Sequence, residues 1–64
     1  MSLYDLKDGD IAEIESVSDF RLNEMGIYKG MKFKVLKSGN PCIIWAGGPR
    51  FCIGRMYISV KRNL

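Results

Sequence analysis

The chain has 64 residues, of which 47% are hydrophobic and 27% are charged, and its formal net charge is +3. A chain of this length can bury only about 60% of the surface that its unfolded form exposes, so we expect a single domain spanning residues 1–64. The composition excludes a disordered chain. The sequence has no apolar run long enough to span a membrane and no signal-peptide pattern at its start. We therefore expect a cytoplasmic protein without direct membrane insertion.

The charges are divided unevenly along the chain. Residues 1–28 carry all seven acidic residues and two basic ones, whereas residues 29–64 carry eight basic residues and no acidic one. Such an asymmetry indicates either an acidic or nucleic-acid partner, or two halves of the chain that neutralise each other in the fold.

The first strand is predicted at residues 11–17, IAEIESV, after a turn at Asp8-Gly9-Asp10. Ala12 and Ile14 share one face of this strand, but Val17 is out of phase with them. A β-bulge near residues 15–16 would return Val17 to the inner face, so we predict one there.

A helix of at most two turns is predicted in SDFRLNEMG, with Ser18 or Asp19 as its cap and with Leu22 and Met25 on one face. Gly26 is expected to end this helix in the left-handed conformation.

Two turn features are predicted directly after the helix. Ile27 should pack back on the last helical turn, as in a Schellman motif. Tyr28-Lys29-Gly30 reads as a second turn, of type II, with Gly30 at the position that requires a positive φ.

From Met31 the apolar period changes to two, with Met31, Phe33 and Val35 on one side, which is typical of a half-buried strand. Three more short strands are predicted: CIIWA, RFCI and YISVKR, separated by turns at SGNP, GGP and Gly54-Arg55. Five short strands and little helix predict an all-β fold, a small five-stranded β-barrel, because closure removes the exposed strand edges.

Catalytic groups are scarce. The chain has no histidine, and none of its serines has a neighbouring base, so we expect no enzymatic activity, no catalytic residue and no cofactor. Cys42 and Cys52 lack the spacing of a zinc site, which needs four ligands, so we predict no metal site and core packing for both thiols. A soft metal site that includes them is the alternative.

The basic second half suits a nucleic-acid-binding small barrel, with Lys32, Lys34 and Lys61 along a phosphate-tracking surface. In a barrel, however, the first strand lies between the second and the last, which places Glu13 and Glu15 beside these lysines. We therefore favour a mutually neutralised face and expect no nucleic-acid partner.

Trp45 is the strongest candidate for a binding residue. If Cys42 and Ile44 face the core, Ile43 and Trp45 point outward and form an exposed apolar patch, which typically marks an interaction surface. The alternative is burial of Trp45. The predicted partner-binding site combines this patch with the residues across the GGP turn and at the rim: Ile43, Trp45, Arg50, Phe51, Tyr28 and Lys29.

The order of these motifs resembles the FeoA family, the ferrous iron transport protein A domain. The resemblance consists of LxxLxxGDxAxIxxV at residues 3–17, RLNEMGIYKGMKFKV at residues 21–35 and IxV at residues 58–60. R-L-x-x-M-G-I-x-x-G is its most specific element. The resemblance implies an SH3-like barrel in which Cys52 takes the place of a small core residue.

The resemblance also implies a function. It implies that this chain is a non-enzymatic cytoplasmic accessory of FeoB, a membrane transporter of ferrous iron that has a GTP-binding domain, and we expect the chain to dock on that cytoplasmic GTP-binding part. A similar barrel forms the C-terminal domain of iron-dependent repressors, so a metal-sensing domain is the alternative. Self-association through the Trp45 patch stays open.

Overall fold

The structure, a computed structural model, describes residues 1–56 and 58–62. Within these residues it confirms the predicted all-β class with one short helix. Tyr57, which was predicted to begin the last strand, lies outside the described residues. The elements in chain order are a 3₁₀ turn at Leu3–Asp5, β1 at Ile11–Val17, α1 at Arg21–Glu24, β2 at Lys32–Lys37, β3 at Cys42–Trp45, β4 at Arg50–Ile53 and β5 at Ile58–Arg62.

The five strands form one antiparallel sheet in the order β4-β3-β2-β1-β5. β1 lies between β2 and β5, as predicted, and its register against β5 shifts between Ile14 and Ser16, which confirms the predicted bulge. The molecule measures 25 × 24 × 22 Å. Because a flat five-stranded sheet would be far thinner in one direction, these dimensions show that the sheet curls around its inner face.

In the described part of the chain, the inner face of the curled sheet holds one hydrophobic core. Alternate residues of every strand contribute to it, together with the 3₁₀ turn, the helix and the segment before β2. The buried apolar residues are Leu3, Leu6, Ala12, Ile14, Leu22, Ile27, Met31, Phe33, Val35, Cys42, Ile44, Ile53, Ile58 and Val60.

Helix α1 is a single turn. The Asp19 carboxylate accepts a hydrogen bond from the backbone N–H of Arg21 at 2.9 Å, so Asp19 satisfies a free donor at the helix start, although Phe20 occupies the N-cap position itself. Leu22 is buried, but Met25 is 52% exposed. The i, i+3 spacing therefore does not bury both side chains, because α1 ends at Glu24 and only Leu22 reaches the core.

The chain makes two turns after α1, at Gly26 and Gly30, as predicted. Gly26 has a φ of 103°, and the backbone N–H of Ile27 donates to the carbonyl of Leu22 at 2.9 Å, as in a Schellman motif. Gly30 has a φ of 90°, and the N–H of Met31 donates to the carbonyl of Tyr28 at 3.1 Å. Both predicted turns are confirmed, and they connect α1 to β2.

The start of the chain covers the outer edge of β5. The Val60 N–H donates to the Met1 carbonyl at 2.7 Å, and Ser2 forms an isolated antiparallel bridge with Ser59. Within residues 1–56 and 58–62, β4 pairs with β3 alone and thus forms the other edge of the sheet. No helix in this described part is long and apolar enough to span a membrane.

Candidate functional site

Four exposed side chains form a line across the outer face of the sheet. Ile11 on β1 is paired with Lys34 on β2, Lys34 with Trp45 on β3, and Trp45 with Arg50 on β4. Directly opposite residues of neighbouring strands point to the same face, so these four side chains lie side by side. We call Ile11, Lys34, Trp45 and Arg50 the outer row. Trp45 is 43% exposed, which confirms that it faces outward.

An open groove of about 200 Å³ lies along the outer row. Its lining includes Trp45, Ile11 and, in the turn after β3, Gly47, where an added Cβ would meet open space. An engineered cavity of about 150 Å³ binds benzene, so the groove has room for one aromatic ring. The lining residues are Ile11, Lys32, Phe33, Lys34, Trp45 and Gly47.

The groove is cationic at its rim. Both cross-strand neighbours of Lys34, Ile11 and Trp45, are apolar, so no carboxylate lies opposite the Lys34 ammonium. The salt bridges found in the described part of the chain include neither Lys34 nor Arg50. Two positive charges that form no salt bridge with any described residue therefore flank the tryptophan.

Next to the outer row, a glutamate lies between two lysines, as predicted; this holds for Glu13 but not for Glu15. Glu13 is paired with Lys32 on one side and with Lys61 on the other, and its carboxylate lies 3.3 Å from the Lys61 ammonium. Among the residues that the structure describes, Glu15 forms no salt bridge with a lysine. Its carboxylate instead accepts a hydrogen bond from the Ser59 hydroxyl at 3.1 Å.

The predicted site residues fall into two groups. Ile43 is half-buried and lies two residues before Trp45 on the same strand, so it is on the same outer face of the sheet, next to the outer row. Phe51 is paired with Ile44 and packs against the core, so it faces the opposite side of β4.

The predicted rim residues Tyr28 and Lys29 lie in a turn close to Phe51. A Cβ built on Gly26 would lie 3.7 Å from Cζ of Phe51, which places Phe51 beside the turn that holds the exposed Tyr28 and Lys29. The structure thus brings Ile43, Trp45 and Arg50 together and places the other three residues elsewhere.

Sequence reasoning missed Ile11 and Lys34. Ile11 was the first residue of a predicted strand, and Lys34 was assigned to a neutralised face. Lys34 is paired with Trp45, and Ile11 lines the same groove. This arrangement depends on the strand register, which no local pattern reveals.

The two cysteines lie on opposite faces of the sheet. Cys42 is buried opposite Ile53, and burial raises the pKa of its thiol. Cys52 is exposed opposite Ile43. The prediction of core packing is confirmed for Cys42 and wrong for Cys52, because the register of β4 turns Phe51 and Ile53 inward and Cys52 outward. Thiols on opposite faces cannot bind one ion, and residues 1–56 and 58–62 contain no cluster of three metal-ligating side chains.

Comparisons with known proteins agree on one family. The family model described as the FeoA domain matches residues 1–59. Among solved structures, the crystal structure of an iron uptake regulatory protein (FeoA) superposes with a TM-score of 0.72 at 31% sequence identity, and the match covers 94% of this chain and 97% of that one. No curated protein matches the chain significantly.

Proposed function

Because the chain belongs to the FeoA family, we propose that it is a non-enzymatic accessory protein of ferrous iron transport. In this proposal it docks on the cytoplasmic GTP-binding part of a FeoB-type membrane transporter. The family match over residues 1–59 and the likeness to an iron uptake regulatory protein support the role in iron transport. The outward-facing Trp45 between two cations supports docking.

The outer row has the composition of a protein-binding surface. Tryptophan and arginine are enriched among the residues that dominate binding energy, and such residues lie in an apolar centre with a polar rim. Here Trp45 and Ile11, with Ile43 on the same face, supply the apolar centre, and Lys34 and Arg50 supply the rim. Positive rim charges accelerate and orient the encounter with an acidic surface, so we expect the partner to be acidic at this contact.

The remaining predicted residues extend the proposed contact around the edge of the sheet. β4 is an edge strand, so a partner that covers it reaches both of its faces. Arg50 would contact this partner on the outer face. Phe51 would contact it on the other face, beside Tyr28 and Lys29.

Replacing Trp45 tests the proposal. We expect Trp45→Ala to weaken binding to the full-length transporter in lipid nanodiscs by about 2 kcal/mol, roughly thirtyfold in Kd, because the indole is the largest apolar group of the patch. Isothermal titration calorimetry measures this change, and circular dichroism checks that the variant is folded.

Met25→Ala is the matched control, since it removes a similarly exposed apolar side chain at the C-cap of α1. It should leave the affinity unchanged. Equal affinity of wild type and folded Trp45→Ala would refute the assignment of the docking site to the outer row.

Single-stranded nucleic acid is the second candidate ligand, favoured by one observation: the Trp45 indole lies between Lys34 and Arg50, as in a base-stacking platform with phosphate contacts. Titration with oligonucleotides at several salt concentrations separates the two candidates. Phosphate neutralisation gives a steep dependence of affinity on salt, whereas an apolar protein contact depends on salt weakly.

A further inference from the structure

The N-cap residue of α1 has an exposed aromatic side chain, and the last residue of α1 is a glutamate. Phe20 is 72% exposed, and its backbone is helical, with φ −63° and ψ −17°. Glu24 follows four residues later, so the two side chains are neighbours on the helix surface. We call Phe20 and Glu24 the α1 knob. Burying this exposed phenyl ring against an apolar surface would remove its area from water and would therefore be favourable.

The groove beside Trp45 complements the α1 knob in shape and charge. Its volume of about 200 Å³ suits a phenyl ring, and its walls include Ile11 and the indole. The Lys34 ammonium has no acidic cross-strand neighbour, and among the described residues Glu24 takes part in no salt bridge. An inserted Phe20 would bring these two opposite charges together at the rim.

One molecule cannot make this contact with itself. The groove begins at Ile11, the first residue of β1, and α1 follows the last residue of that seven-residue strand. At about 3.3 Å per residue the strand is roughly 20 Å long, so the groove and the α1 knob lie at opposite ends of it. The high exposure of Phe20 agrees with this separation.

We propose that copies of this chain associate head to tail, with Phe20 of one copy inserted into the groove of the next and Glu24 against Lys34. The contact joins two different surfaces, so it does not close on itself in a dimer and can continue from copy to copy. One inserted side chain buries little area, so the association is weak and reversible. This inference is independent of the proposed function. Because it uses Trp45, self-association would compete with transporter docking.

Sedimentation velocity of the full chain over a concentration series into the millimolar range tests the association. The measurements use reducing buffer and a Cys52→Ser background, so that the exposed thiol cannot form disulfide dimers. We expect the average mass to rise with concentration without a plateau at the dimer. A concentration-independent monomer, or a plateau at the dimer, would overturn the proposal.

Single substitutions identify the two surfaces. Phe20→Ser removes the ring, and Trp45→Ala removes a groove wall, so each should lower the association constant more than about tenfold. Ile11→Glu is a second groove variant should Trp45→Ala fail to fold. Leu36→Ser, which replaces an exposed apolar residue outside both surfaces, is the control and should associate like wild type.

Mixing the two defective variants gives the decisive measurement. The Phe20→Ser chain keeps an intact groove and the Trp45→Ala chain keeps an intact knob, so their mixture should form a one-to-one heterodimer and nothing larger. A mixture that stays monomeric would overturn the head-to-tail contact.

Transporter binding by Phe20→Ser is measured separately. If that binding is intact while self-association is absent from wild type, the inference fails and the proposed function stands.

Discussion

Tyr4 joins the start of the chain to the loop between β4 and β5. Its hydroxyl donates a hydrogen bond to the carbonyl of Met56 at 2.7 Å and accepts one from the Met56 N–H at 3.2 Å. One side chain therefore satisfies both backbone groups of a residue that is 52 positions away in the sequence.

We expect Tyr4→Phe to lower the free energy of unfolding by about 1–2 kcal/mol, because the half-buried Met56 backbone loses both partners while the packing of the ring is retained. Chemical denaturation measures the change. Tyr28→Phe is the matched control: its side chain is exposed, so loss of that hydroxyl should change stability little. Equal stabilities of the two variants would contradict the role given to the Tyr4 hydroxyl.

At the scale of elements, a side chain also links the turn before β1 to the turn after β2. The Asp8 carboxylate accepts a hydrogen bond from the backbone N–H of Ser38, and this bond, with a smaller contribution from the Ser38 hydroxyl, lowers the pKa of Asp8 below its ordinary value of 3.8. The two turns are thus held together more firmly when Asp8 is ionised.

This link predicts a pH dependence. A carboxyl whose pKa is lower in the folded state stabilises the fold fully above its unfolded pKa, and that contribution is lost as the pH falls through the folded pKa. The stability difference between wild type and Asp8→Asn should therefore be constant near neutral pH and shrink on acidification below 3.8. Urea denaturation across this range measures it.

Ser38→Ala is the control for the same experiment. It keeps the backbone N–H, which is the main cause of the lowered pKa, so most of the pH dependence should remain. Parallel stability curves for wild type and Asp8→Asn down to the most acidic pH would show that the link contributes nothing.

At the scale of the whole molecule, residues 1–6 complete the fold. Leu3 and Leu6 are buried in the core, and the Met1 carbonyl pairs with β5. Loss of one buried leucine costs about 2–5 kcal/mol, and a core of this size supplies only about 3–5 kcal/mol in total.

Deletion of residues 1–6 should therefore abolish cooperative folding. Thermal denaturation followed by circular dichroism would show a sloping curve without a transition. The full chain with Lys7→Ala, which changes an exposed side chain beside the deleted segment, should retain the transition. A truncated chain with a cooperative transition near that of wild type would contradict this account of the core.

The local features of the fold could be predicted from the sequence because each depends on residues a few positions apart. Gly26 and Gly30 mark backbone positions with positive φ, and the loss of phase at Val17 marks the bulge in β1. The alternation around Trp45 indicates an outward indole. The family resemblance rests on the same short motifs, which is why the class of fold was predictable.

The make-up of the candidate site was decided by tertiary structure. In RFCI three successive apolar residues leave the inward face ambiguous, and only the pairing of β4 with β3 turns Cys52 outward and Phe51 inward. The pairings of β1, β2 and β3 likewise bring Ile11 and Lys34 beside Trp45. A shift of one residue in register would move every side chain of a strand to the other face, so these contacts depend on the whole sheet and not on any neighbouring stretch of sequence.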